Sequence, residues 1–247
     1  FTLYALQKTM NKSKFFILIL ILTHTSELMS QKIDLDILQG KTTRHLVGDT
    51  VLLEKETFKA FEKMRNAAMN DGIKIKIISG HRDFERQALI WNSKFIKFTK
   101  ELKLRPDEAL NEIIRFSTVP GTSRHHWGTE IDIIDEEFKN EKNPLISEKY
   151  ETGGVFNKLK KWMDSNSEKF GFYLTYTNDE QRKGFEYEPW HYSYKPISKN
   201  LLEEFKKNNI SKLISNLDIM GKEYLTKEFI EKYINENILG VNKELEL

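Results

Sequence analysis

Two short polar stretches hold the residues best suited to chemistry. The first reads Ser123-Arg124-His125-His126-Trp127-Gly128-Thr129-Glu130-Ile131-Asp132, the second Glu188-Pro189-Trp190-His191-Tyr192. Three of the six histidines fall within them. His125, Asp132 and His191 supply two imidazoles and one carboxylate. That set suffices for a catalytic zinc with a fourth position left for water. A metal-bound water ionises near pH 7, and the metal also polarises a carbonyl. Such a water needs a proton acceptor, and Glu188, three residues before His191, is placed to be one. In a regular strand residues 188 and 191 point to opposite faces. Pro189 supplies a bend, so the sequence predicts Glu188 on a turn and His191 inside the following strand. The chain has no cysteine. Disulfide scaffolds, thiolate metal sites and cysteine nucleophiles are therefore excluded.

These residues need elements to hold them. Phe58, Phe61, Met64 and Ala68 recur at helical spacing and predict a helix over 56–70, closed by Gly72. Residues 73–78 and 129–134 alternate as two strands. Residues 83–98 and 106–116 read as helices, the second opening near Pro106. Residues 117–128 read as a loop, and 154–169 as a helix ended by Gly171. Short strands follow near 172–176 and 190–194. Amphipathic helices fill the chain after Pro196. Residues 31–50 read as an irregular arm. The fold class is α+β: a small mixed or antiparallel sheet flanked by helices, with a C-terminal helical extension.

Composition narrows the partners. The 247 residues carry 39 Lys plus Arg against 37 Asp plus Glu, a formal charge of +2 that gives no reason to expect a nucleic-acid binder. Lys8, Lys12 and Lys14 precede the apolar run 15–22, as in an export signal. Eight residues at about 1.5 Å each fall short of a bilayer core of about 30 Å. Residues 1–30 are therefore expected to form a signal peptide, with Met10 as start and residues 1–9 as an upstream extension. The expected product is exported to the periplasm or cell envelope, with no stable membrane span after cleavage.

The two polar stretches, with an upstream block, resemble the VanY-type D-alanyl-D-alanine carboxypeptidases. That family belongs to a zinc-peptidase group sharing its fold with the hedgehog signalling domain. Ser123, His125, Gly128 and Asp132 match its first motif, and Glu188, Pro189, Trp190 and His191 its second. Ser79, Gly80, Arg82 and Gln87 match its upstream block, with His81 where tyrosine is usual. The resemblance covers about residues 55–200. It implies a zinc peptidase domain over 31–200, a helical extension over 201–247, and Zn2+ on His125, Asp132 and His191. It implies Glu188 as general base and Arg82 as the residue that steadies the oxyanion or the substrate near the metal. Ser123 and Gln87 become contacts to the substrate's terminal carboxylate or backbone. Trp190 and Tyr192, with Trp127 and Tyr187, would line the cleft, although core packing competes for them. The implied reaction removes the C-terminal D-alanine from a peptidoglycan stem peptide. L,D-carboxypeptidase, dipeptidase and endopeptidase activities, and a zinc-stabilised binding module without turnover, stay open. Glu130 departs from the pattern, which often has alanine there. By strand parity it shares a face with Asp132, so it either tunes a ligand or a neighbour, or reaches solvent.

Overall fold

The computed structural model describes residues 34–246. The export-signal reading over residues 1–30 lies outside them. Among the described residues no helix is long and apolar enough to cross a membrane.

The stretch expected to be an irregular arm is structured from Asp34 onward. Helix α1 (Leu35–Leu38) opens on Asp34, whose side chain accepts from the Asp36 N–H. Strands β1 (Leu46–Val47) and β2 (Leu53–Glu54) form a small antiparallel pair. Both are too short to show periodicity in sequence. Helix α2 (Lys55–Asn70) follows at once. The Glu54 carboxylate caps it by accepting from the N–H groups of Glu56 and Thr57.

Next come β3 (Ile75–Ser79), α3 (Phe84–Ile96), α4 (Pro106–Ile113) and β4 (Glu130–Asp135), then α5 (Asn157–Asn166), β5 (Phe172–Leu174) and β6 (His191–Tyr194). Asp83 caps α3 through the Arg86 N–H at 2.7 Å. Pro106 opens α4, where a missing N–H costs nothing. The sheet is antiparallel, in the order β3-β4-β6-β5. Central β4 is buried along its whole length. Its alternation therefore separates two buried environments rather than core from water. Ile131 and Ile133 join Phe61, Met64, Leu159 and Met163 of α2 and α5 in the apolar core. Glu130 and Asp132 point the other way, toward the polar site.

Helices α6 (Lys195–Lys206), α7 (Ile210–Ser215) and α8 (Lys227–Tyr233) complete the fold. Helix α6 crosses the boundary anticipated at residue 200. The C-terminal helices pack back on the sheet-bearing part of the chain. Phe205 and Tyr233 are fully buried, and the Phe205 ring lies 6.1 Å from that of Trp127. The Trp91 indole donates to the Met220 carbonyl at 3.0 Å.

Candidate active site

Sheet register brings two of the three predicted ligands together. Asp132 of β4 is paired directly with His191 of β6. Directly opposed side chains on one face are neighbours. Glu130 and Ser193 form the next pair on that face. The third ligand enters from the short 3-10 turn Arg124–Trp127, which leads into β4 through Gly128. Gly128 has φ of 72°, and a Cβ there would lie 2.4 Å from Leu46 and 2.8 Å from the Glu54 nitrogen. Only glycine fits that turn.

Each ligand is aimed by a contact on its far side. The His125 Nδ1 lies 2.7 Å from the Gly80 carbonyl, which leaves Nε2 facing Asp132 Oδ2 at 3.4 Å. The His191 Nε2 lies 3.0 Å from Glu130 Oε2, which leaves Nδ1 facing Asp132 Oδ1 at 3.6 Å and Glu188 Oε2 at 2.9 Å. One donor atom from each of His125, Asp132 and His191 lies within 4.8 Å of the others. The Asp132 Oδ1 is buried with no hydrogen-bond partner. A buried carboxylate oxygen left alone is costly, and a cation between the three side chains would satisfy it. The donor set, its closeness and this orphaned atom fit a divalent metal.

Electrostatics follow from the same contacts. Burial alone would lower the His191 pKa. The hydrogen bonds to Glu130 and Glu188 and the charge of Asp132 outweigh it and raise it to about 10. Burial pushes Asp132 up, but His125, His191 and Arg82 hold its carboxyl well below the usual range. Glu130 is fully buried, and its departure from the family pattern now has a place. Ser193 donates to its Oε1 at 2.6 Å, Thr175 to its Oε2 at 3.1 Å, and the Arg124 guanidinium lies 3.1 Å away. It does not reach solvent. It turns the His191 ring, as carboxylates behind metal-bound histidines do.

Glu188 stands where the bend requires. The His191 N–H donates to the Glu188 carbonyl at 3.0 Å, closing a turn over Pro189 and Trp190. The turn lets both side chains face one site despite the odd spacing. Arg82 comes from the segment between β3 and α3. Its guanidinium donates to Gln87 Oε1 at 2.9 Å and Ser79 Oγ at 3.1 Å, and lies 3.8 Å from Asp132. His126 ties this segment to the next. Its Nδ1 lies 2.6 Å from the Arg82 carbonyl and its Nε2 accepts from the Gly121 N–H. Burial holds His126 neutral, with a pKa of about 3.

A cleft of about 540 Å³ opens over these groups. Arg82, Ser123, His125, Asp132, Glu188, Trp190 and His191 line it. Two predicted substrate contacts do not. Gln87 is fully buried and its amide is engaged at both ends, Oε1 by Arg82 and Nε2 by the Thr118 carbonyl. It positions Arg82. Tyr192 is paired with Ile131 and buried in the core, because it alternates with His191 along β6. Trp127 is buried behind the site, where its indole donates to the Leu38 carbonyl, and Tyr187 does not line the cleft either. The aromatic lining is Trp190 with Tyr176, Phe185 and Phe116. Tyr176 meets the His191 ring edge-on at 4.9 Å. Tyr176, Arg124 and Lys94 were missed as lining residues. For Arg124 the signal was its place between Ser123 and His125.

Comparison with known proteins identifies the family. The family model described as VanY, D-alanyl-D-alanine carboxypeptidase, matches residues 50–197. An uncharacterized protein of Haemophilus influenzae is 32% identical over 123 residues, covering 49% of this chain and 93% of its own. A D-alanyl-D-alanine carboxypeptidase of Enterococcus faecalis is 32% identical over 130 residues, covering 52% of this chain and 43% of its own. A solved mutant of a VanY D,D-pentapeptidase in complex with Zn(II) shares the fold with a TM-score of 0.51. It is 23% identical and covers 75% of this chain and 93% of its own. With the matched model spanning more than half of the chain and both polar motifs, the chain belongs to the VanY D-alanyl-D-alanine carboxypeptidase family, a family of peptidases.

Proposed function

We propose that this protein is a metal-dependent D,D-carboxypeptidase that removes the C-terminal D-alanine from peptidoglycan stem peptides in the cell envelope. The observation that carries the reading is the convergence of His125, Asp132, His191, Glu188 and Arg82 on one cleft. His125 Nε2, Asp132 and His191 Nδ1 would hold the metal, and zinc suits two imidazoles and a carboxylate. Bound there, zinc supplies Lewis-acid polarisation of the scissile carbonyl and a water acidic enough to attack at neutral pH.

The chain's own residues do the rest. The Glu188 carboxylate takes the proton from the attacking water and returns it to the leaving amine. The Arg82 guanidinium, fixed by Gln87 and Ser79, faces the oxygen on which negative charge develops. Ser123 lines the same cleft and offers its hydroxyl to the substrate backbone. Trp190 and Tyr176 give the cleft an aromatic wall, with Tyr176 against His191.

The test is incubation of the zinc-loaded full chain with a stem pentapeptide ending in D-Ala-D-Ala, with and without a chelator, read by mass spectrometry. Loss of one alanine that the chelator abolishes is the expected result. Metal-loaded protein that leaves the pentapeptide intact refutes the assignment. Release of a dipeptide moves the scissile bond instead.

A further inference from the structure

Three cations line the cleft: Arg82, Lys94 and Arg124. Arg124 has its counter-charge: its Nη2 meets Glu130 and donates to Ser193, while its Nε and Nη1 are buried without a partner. Arg82 is committed to Gln87, Ser79 and Asp132. Lys94 differs. Its ammonium donates to the Ser117 hydroxyl at 2.6 Å, and no carboxylate of the described residues pairs with it. It is half-buried. Burial lowers its pKa, while the charge of Glu188 opposes that and the charge of Arg82 adds to it. Holding an ammonium in a partly desolvated wall without an acidic partner works against stability. Groups of this kind cluster at functional sites, where a bound anion would supply the missing charge.

Its place on α3 says which ligand. Gln87, Ile90 and Lys94 stand at helical spacing and share one face. Gln87 fixes Arg82 from the first turn of that face, and Ile90 and Lys94 continue it along the cleft wall. Ile90 and the exposed Phe116 add apolar surface to the same cleft. A monovalent anion next to a small apolar group matches this wall. The free carboxylate of a C-terminal alanine has that form. The Gln87 amide, the donor the sequence pointed to, is already spent.

We propose that Lys94, supported by Ser117, receives the free C-terminal carboxylate of the substrate, so that the cleft reads peptide ends rather than internal bonds. This rests on the carboxypeptidase reading above and sharpens it to exopeptidase specificity. An ammonium–carboxylate hydrogen bond in such a site contributes roughly 10- to 100-fold in affinity. Lys94 is a specificity residue here and has no part in the proton transfers.

The test compares a stem pentapeptide as free acid and as C-terminal amide. Binding is measured by calorimetry on zinc-loaded Glu188→Gln protein, with and without Lys94→Met. Hydrolysis is measured on protein with native Glu188. The expected result is acid bound roughly 10- to 100-fold more tightly than amide, with that preference lost in Lys94→Met and partly kept in Lys94→Arg. Zinc affinity should be unchanged, which shows that the site is intact. In hydrolysis the loss should appear in KM. An acid preference that survives Lys94→Met, or equal binding of acid and amide, overturns the Lys94 assignment even if the peptide is hydrolysed. Lys94-dependent acid binding without hydrolysis keeps the subsite and overturns the carboxypeptidase reading. Failure to bind either peptide overturns both.

Discussion

Behind His191, the Glu130 carboxylate is fully engaged. Ser193, Thr175, Arg124 and the His191 Nε2 all converge on one fully buried carboxylate. Across the cleft, the α3 wall is built sparingly. Lys94 has Ser117 and no acid, and Phe116, Leu145 and Ile146 stand more than a third exposed at the rim. The Glu130 side fixes the His191 ring through a carboxylate that has no free face. The unsaturated side leaves donors and apolar surface for a ligand to complete. A metal site and a substrate site ask opposite things of the same fold, and one sheet face and one helix face meet those demands separately.

The largest effect should come where the two sides meet. Glu188→Gln keeps the shape and removes the base. Hydrolysis of the stem peptide should fall by about 10²- to 10⁴-fold in kcat, with zinc affinity within a few-fold of native. Steady-state kinetics on metal-quantified protein checks this. Retained turnover would place the base elsewhere in the cleft.

The saturated side is broken at Glu130. Glu130→Ala should weaken zinc binding by about 10- to 100-fold although the residue does not face the metal position. It should also destabilise the fold by about 3–5 kcal/mol, because Arg124 is left buried without its carboxylate. Competition with a chromogenic chelator and denaturant titration separate the two effects. Arg124→Leu added to Glu130→Ala should recover stability but not zinc affinity. Recovery of both would reduce Glu130 to a counter-ion for Arg124.

The C-terminal helices reach the loop before Ser123 through Tyr233. Its hydroxyl accepts from the Val119 N–H at 3.0 Å and lies 2.8 Å from the Thr122 Oγ1. Thr122 itself donates to the Val119 carbonyl, so Tyr233 donates to Thr122. This ring braces the loop that ends at Ser123. Tyr233→Phe orphans a buried N–H and should cost about 1–3 kcal/mol, read as a lower denaturant midpoint. If the brace also sets Ser123, KM rises more than kcat falls.

Much of this was readable from the residues. Ile131 and Ile133 announced a strand, and the Glu188–His191 spacing with Pro189 announced a bend before one. The proposed ligands and base stood out because their types are scarce and their spacing is narrow, and the family resemblance gave them their roles. What stayed hidden depends on register and burial. Tyr192 looked like a cleft aromatic because it neighbours His191, yet alternation sends it into the core. Gln87 matched a substrate contact, yet both ends of its amide are consumed inside the protein. Glu130 could be placed on the Asp132 face, but only the β4–β6 pairing shows that Ser193 and His191 meet it. Lys94 carries no motif, and its meaning comes from having no acidic partner in three dimensions. The β1–β2 pair was lost because two residues per strand give no period.

The smallest effect tests a site at neither extreme. His81 stands where the family pattern has tyrosine, half-buried, with its Nε2 lacking a partner. Burial, with the charges of His45 and His125 adding to it, lowers its pKa to about 4. The unfolded chain protonates His81 near its ordinary value of about 6.5. The unfolded state therefore binds the extra proton between these limits. Native stability is at its full value above pH 6.5 and declines as the pH falls toward 4. His126 acts with the same sign, so His81 accounts for part of the slope. His81→Tyr does not titrate in this window. The Tm of His81→Tyr relative to the native chain, measured without added metal, should rise progressively from pH 7.5 to pH 4.5. A constant difference across that range would mean that His81 takes up its proton in the folded state as readily as in water.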